Sequence, residues 1–139
     1  MEKEGDMKAH WGTIIVAVMV LLLIEGCASS ISEIRQNEPH LTFTSTNPPK
    51  EVARCIDFRT RGETGGSMWK VNPTVAFEER PDNTYYIVLT VPPYGGLADI
   101  LVKPSGVGSV VEYRRAHWWN GEGQFIEILE QCVRQAGVK

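Results

Sequence analysis

Residues 84–119 read TYYIVLTVPPYGGLADILVKPSGVGSVVEYRRAHWW, and this stretch decides the fold. Its first run, 84–91, is β-branched and aromatic throughout, the composition that suits a pleated, buried surface. Pro92, Pro93, Gly95 and Gly96 break it. A second run, 97–103, follows, and the segment 104–108 turns the chain again. The third run, 109–119, is expected to return as a hairpin partner of the second. Short breaks between strands of this length allow only antiparallel pairing, because a parallel crossover needs a dozen residues or more.

Working outward, residues 67–80 predict a further strand, bent where Pro73 cannot donate to a ladder. Residues 81–83, Pro-Asp-Asn, are turn chemistry. Residues 41–46, LTFTST, alternate: Leu41, Phe43 and Ser45 share one face, and three threonines take the other. Two segments have helical periodicity instead. After Asn47 as a cap and Pro48 at the first helical position, Val52, Cys55 and Ile56 fall on one face, with Gly62 as the expected end. Near the C-terminus, Phe125, Ile128, Leu129, Cys132 and Val133 recur at i, i+3, i+4, i+7 and i+8, ahead of Gly137. The predicted order is β-α-β-β-β-β-α. That order implies an α+β fold, an antiparallel sheet of four to five strands with two helices on one face. The other face is open to solvent in this reading, as antiparallel sheets allow.

The N-terminus carries an address. Residues 13–24, TIIVAVMVLLLI, hold no charge. As a helix the run covers roughly 18 Å, short of the ~30 Å hydrocarbon core of a bilayer. Its length suits the apolar segment of a secretory signal. The preceding residues mix Glu2, Glu4 and Asp6 with Lys3 and Lys8, whereas translation from Met7 gives a start without acids. Both starts are compatible with the run that follows.

Residues 24–27, Ile-Glu-Gly-Cys, resemble the lipobox of bacterial lipoproteins: an aliphatic residue, two small residues and a cysteine. Ile24, Gly26 and Cys27 match, and Glu25 stands where a small residue is usual. The resemblance implies a diacylglyceryl group on the Cys27 thiol and cleavage just before it. Ala28, rather than aspartate, follows the cysteine, which by the same resemblance points to the outer membrane, facing the periplasm. Residues 26–28 also fit an ordinary signal-peptidase site, and cleavage after Ala28 would release a soluble periplasmic or secreted domain. The expected organisation is a signal over 1–26, a lipidated N-terminus and polar tether over 27–40, and one domain over 41–139. As a flexible coil, the tether would span on the order of 20 Å. A short helix over 30–37, with Ile31 and Ile34 on one face, is the alternative.

The whole chain has 14 bases and 17 acids, a net charge of −3, and removal of the signal leaves −1. Without a basic excess to neutralise phosphates, nucleic acid is not an expected partner. Of the three cysteines, Cys27 is the anchor candidate. Cys55 and Cys132 remain, an even pair on the inward stripes of two helices, which in an oxidising compartment reads as a disulfide. Two buried free thiols are the other reading.

Catalytic signatures are missing. The chain has no P-loop, no dinucleotide fingerprint, no zinc-protease helix and no nucleophile elbow. His40 and His117 are far apart in sequence and read as structural or surface residues, so no metal or cofactor is expected. Asp99 is expected to face solvent or to pair with Arg114 or Arg115 on the neighbouring strand. A cleft gathering Asp99, Glu112 and His117 would favour an enzyme. Tyr113, Arg115, Trp118 and Trp119 have the composition of a binding hot spot. Alternation places the two tryptophans on opposite faces, one in the core and one exposed. Residues 105–109, SGVGS, resemble the Ser-Gly loop of periplasmic lysozyme inhibitors, although those are mostly β-barrels without a closing helix. The leading expectation is a non-enzymatic envelope lipoprotein. It binds or assembles with another envelope protein or a cell-wall component. An inhibitor of a cell-wall hydrolase is the alternative.

Overall fold

The computed structural model describes residues 15–16, 30–64, 73–119 and 122–135. Residues 24–27, which resemble a lipobox, lie outside the described residues. The elements are α1 (Ile31–Gln36), β1 (Leu41–Ser45), α2 (Pro49–Thr64), β2 (Thr74–Glu79), β3 (Tyr85–Val91), β4 (Gly95–Ser105), β5 (Gly108–Arg115) and α3 (Gly123–Gln135). The five strands form one antiparallel sheet in the order β1-β5-β4-β3-β2. Strands β2 to β5 run as a meander, and β1 closes the far edge beside β5, with Leu41 opposite Tyr113. The fold is α+β, a five-stranded antiparallel sheet with helices packed against it.

Alternation along the strands sorts the two faces. Ala98, Ile100 and Val102 of β4 point to the core face, with Tyr85, Ile87 and Leu89 of β3 and Val111 and Tyr113 of β5. Helices α2 and α3 cover this face with Val52, Ala53 and Ile56, and with Phe125, Ile128 and Leu129. Each fully buried Val, Ile, Leu or Phe side chain here contributes roughly 1.5–3 kcal/mol. Cys55 and Cys132 are joined by a disulfide, with Cα atoms 5.6 Å apart. Arg59 of α2 reinforces the same contact by donating to Gln131 and, at 3.3 Å, to Gln135 of α3.

Several boundaries differ from the sequence reading. Pro49, not Pro48, takes the first position of α2, and the Pro48 carbonyl accepts from Glu51 and Val52 N–H. Asn47 instead ties the end of β1 to α3, donating to Ser45 Oγ and to the Val133 carbonyl. Helix α2 passes through Gly62 to Thr64, since a single exposed glycine weakens a helix without ending it. The predicted strand over 67–80 begins at Thr74, directly after Pro73, and residues 65–72 lie outside the described residues. The last strand stops at Arg115 rather than Trp119, and residues 116–119 form a turn closed by Trp119 N–H to the Ala116 carbonyl.

The largest correction concerns residues 28–40, expected as a flexible tether. Residues 31–36 form α1, capped by Ser30 Oγ accepting from Glu33 N–H at 3.2 Å. Helix α1 packs on β4 and β5, and Ile34 is 1% exposed. Asp99 points away from the core face, between Ala98 and Ile100, and its partner is Arg35 of α1, with Nε to Oδ1 at 3.1 Å. Arg35 also lies over the Tyr86 ring at 4.4 Å. Arg114 Nε donates to the Asn37 carbonyl at 2.9 Å, fixing the other end of the helix. Part of the face expected to be solvated is therefore covered. Asp99 is fully buried and pairs with α1 rather than with the strand arginines.

Candidate functional site

One end of the sheet gathers the polar and aromatic side chains that could bind a ligand. It comprises the β3–β4 turn, the start of β4, the residues after β5 and the segment entering β1. The antiparallel register brings these together: Val91 opposes Gly95, Ala98 opposes Arg115, and Leu41 opposes Tyr113. Ala116 N–H bonds the Leu97 carbonyl at 2.9 Å and His40 N–H bonds the Tyr113 carbonyl at 2.7 Å, so both loops are pinned to the sheet.

The four residues of the expected hot spot do not form one exposed patch. Tyr113 is fully buried, because its alternation places it on the core face. Its ring packs 5.4 Å from Phe125, and its hydroxyl donates to Glu122 Oε2 at 3.2 Å. Burial, with the Glu122 carboxylate beside it, pushes the Tyr113 hydroxyl well above its ordinary value. Trp119 is 5% exposed and packs on Phe125. Arg115 is held inward, donating to the Trp119 carbonyl at 2.5 Å and pairing with Glu122 at 2.9 Å. Of the four, only Trp118 is exposed, at 38%, while Arg115 is partly exposed where it lines a cleft. One tryptophan is in and one is out, as alternation suggested, but the cause is the turn at 116–119, since the strand has already ended.

Two neighbours were missed by sequence reasoning. Tyr94, 61% exposed in the β3–β4 turn, stands 6.4 Å from Trp118 between ring centroids. An aromatic within a Pro-Pro-Tyr-Gly-Gly turn was the available signal, because such a turn has no core to fill. The second is Glu122, which accepts from Tyr113, pairs with Arg115 and lies 3.4 Å from His40 Nε2. Nothing in the local sequence around Glu122 marks it.

Beside this network is a cleft of about 300 Å³ lined by Asn37, Glu38, Pro39, His40, Arg115 and His117. The two histidines, distant in sequence, thus share one cleft through the β1–β5 pairing. With Arg115 paired to Glu122, the cleft offers hydrogen-bonding groups together with the Glu38 carboxylate. No protein-family profile, curated protein or solved structure matches the chain. The reading of this site therefore stands on its geometry.

The cleft that would have favoured an enzyme does not assemble. Asp99 is buried beneath α1, and Glu112 sits on the opposite face from the core, engaged by Lys103 and Arg114. Burial alone would raise the Glu112 carboxyl, but those two cations outweigh it and hold it below the usual range. His117 lines the cleft away from both. Among the described residues, no three His, Cys, Asp or Glu side chains lie close enough together to hold a metal ion.

The 105–109 segment is accounted for by backbone geometry. Ser105 pairs with Gly108, so Gly106 and Val107 form a two-residue hairpin turn. Gly106 has φ +59°, which glycine adopts without strain. A Cβ on Gly108 would fall 2.0 Å from the Ser45 carbonyl oxygen, so the close approach of β1 to β5 requires glycine there. Val107, 95% exposed at the tip, has no such structural reason.

Proposed function

We propose that this protein is a non-enzymatic envelope lipoprotein, anchored through Cys27, whose domain binds or assembles with another envelope protein or a cell-wall component. The observation that carries the binding reading is the exposed Tyr94–Trp118 pair on two pinned turns beside the polar cleft. Aromatic rings of this kind present large contact area at small entropic cost, and they dominate binding energy where they occur. The Cys55–Cys132 bridge supports an extracytoplasmic setting, because reducing compartments keep thiols open. The lipobox-like residues 24–27 support the anchor. The glycines of the 105–109 turn have structural roles, so the observation left to the alternative hydrolase-inhibitor reading is the exposed tip at Val107.

Purified sacculi and detergent-solubilised envelope proteins are the two ligand pools to test by co-sedimentation and crosslinking. Trp118→Ala should weaken the interaction by about 2 kcal/mol, roughly 30-fold, and Tyr94→Ala by a comparable factor. Both variants should keep the parent circular dichroism spectrum, since neither side chain belongs to the core. Binding that survives both substitutions at full strength contradicts the assignment of this surface.

A further inference from the structure

We infer that α1 is a rigid mount that holds the domain directly on the lipid headgroup layer, with the exposed side of α1's first turn at the bilayer surface. This rests on the reading of Cys27 as the lipidated residue. Two observations carry it. First, α1 belongs to the domain. Ile34 is buried, Arg35 reaches the fully buried Asp99, and Arg114 binds the carbonyl of Asn37. A segment held by an apolar anchor, a buried ion pair and a backbone contact does not act as a flexible linker. Second, only Ala28 and Ser29 separate Cys27 from the Ser30 cap. Even fully extended, three residues reach about 11 Å, so Ser30 cannot stand further than that from the acylated residue. From Ser30 to His40, the freedom that a disordered segment would have given is absent.

The occupant of this surface is a phospholipid headgroup layer, and proximity rather than charge brings it there. Ser30, Ser32 and Glu33 are exposed on α1, and this set offers no cationic attraction to anionic lipid. The mount also limits reach. A domain of about 100 residues has a radius of gyration near 13 Å, hence a diameter of about 35 Å. Any partner of the Tyr94–Trp118 end must therefore come within roughly that distance of the membrane.

The test uses the full-length lipoprotein, purified in detergent and reconstituted into phosphatidylethanolamine–phosphatidylglycerol vesicles that carry a headgroup-linked nitroxide quencher. A fluorophore is placed on Ser32→Cys. A second protein carries the same label plus twelve Gly/Ser residues inserted between Ala28 and Ser29. Strong quenching in the first, reduced at least threefold in the second, supports the mount. Equal quenching in both overturns it, as does weak quenching in the first. Intact mass is read on the same samples. A protein without acyl mass on Cys27 overturns the anchor reading itself, which is distinguishable from an acylated protein whose label is not quenched.

Discussion

Replacing both Cys55 and Cys132 with alanine is expected to lower the unfolding free energy by about 4 kcal/mol, within the usual range of 2–5 for a native bridge. The sequence separation is 77, so in the chain-entropy account the crosslink removes much of the freedom of the unfolded chain. The domain is small, and its core is correspondingly modest. A loss of this size is a large fraction of the 5–15 kcal/mol typical of such domains. The bridge also fixes α2 against α3, where Arg59 binds Gln131 and Gln135. Urea unfolding of the oxidised, reduced and alanine forms measures the effect. The reduced wild type should fall close to the double variant. A difference below 1 kcal/mol between oxidised and reduced protein would contradict the account.

Arg35→Ala is expected to cost about 3 kcal/mol, the low end for breaking a buried ion pair, because Arg35 is itself partly exposed. The substitution leaves Asp99 fully buried, with Oδ2 already lacking a hydrogen-bond partner among the described residues. The cost is capped by the free energy of releasing α1, which would let water reach the carboxylate. In an Asp99→Ala background the same arginine substitution should cost much less, and a double-mutant cycle reads that difference. Asp99 has a pH signature as well. Burial raises its carboxyl above the ordinary range, and Arg35 offsets this only in part. The folded state therefore binds the proton more tightly than the unfolded state. As pH rises from the unfolded value, near 4, through the raised folded one, stability from this group is lost. Asp99→Asn should remove that component from the pH dependence of urea unfolding. An unchanged pH profile would contradict the burial of the carboxylate.

How much of this was legible in the sequence follows from how local each signal is. The stripe from Phe125 to Val133 identified α3, and the β-branched run 84–91 identified β3, because each pattern repeats within one element. The pairing of Cys55 with Cys132 was legible too, since both lie on inward stripes and the lipobox-like resemblance at residues 24–27 sets Cys27 aside as the anchor candidate. Helix α1 was only an alternative reading. It has one fully buried apolar residue, Ile34, and its decisive contact joins Arg35 to Asp99 across the fold. Local periodicity carries no trace of such a pair. The expected hot spot is not one exposed patch for another reason: alternation along β5 itself puts Tyr113 and Arg115 on the core face, and Trp119 packs against Phe125 beyond the strand's end. His40 reaches Glu122 and shares a cleft with His117 only because β1 returns beside β5, which residue spacing does not reveal.

The central claim is a disulfide-bonded domain anchored by a lipid on Cys27, and the intact mass of the mature protein tests it most directly. The protein is purified in detergent from its own envelope and weighed before and after reduction. The account predicts a chain beginning at Cys27 with added acyl mass, and a gain of about two mass units on reduction of the single bridge. An unacylated chain beginning at Ser29 would contradict the anchor, and would make this protein a free periplasmic or secreted domain.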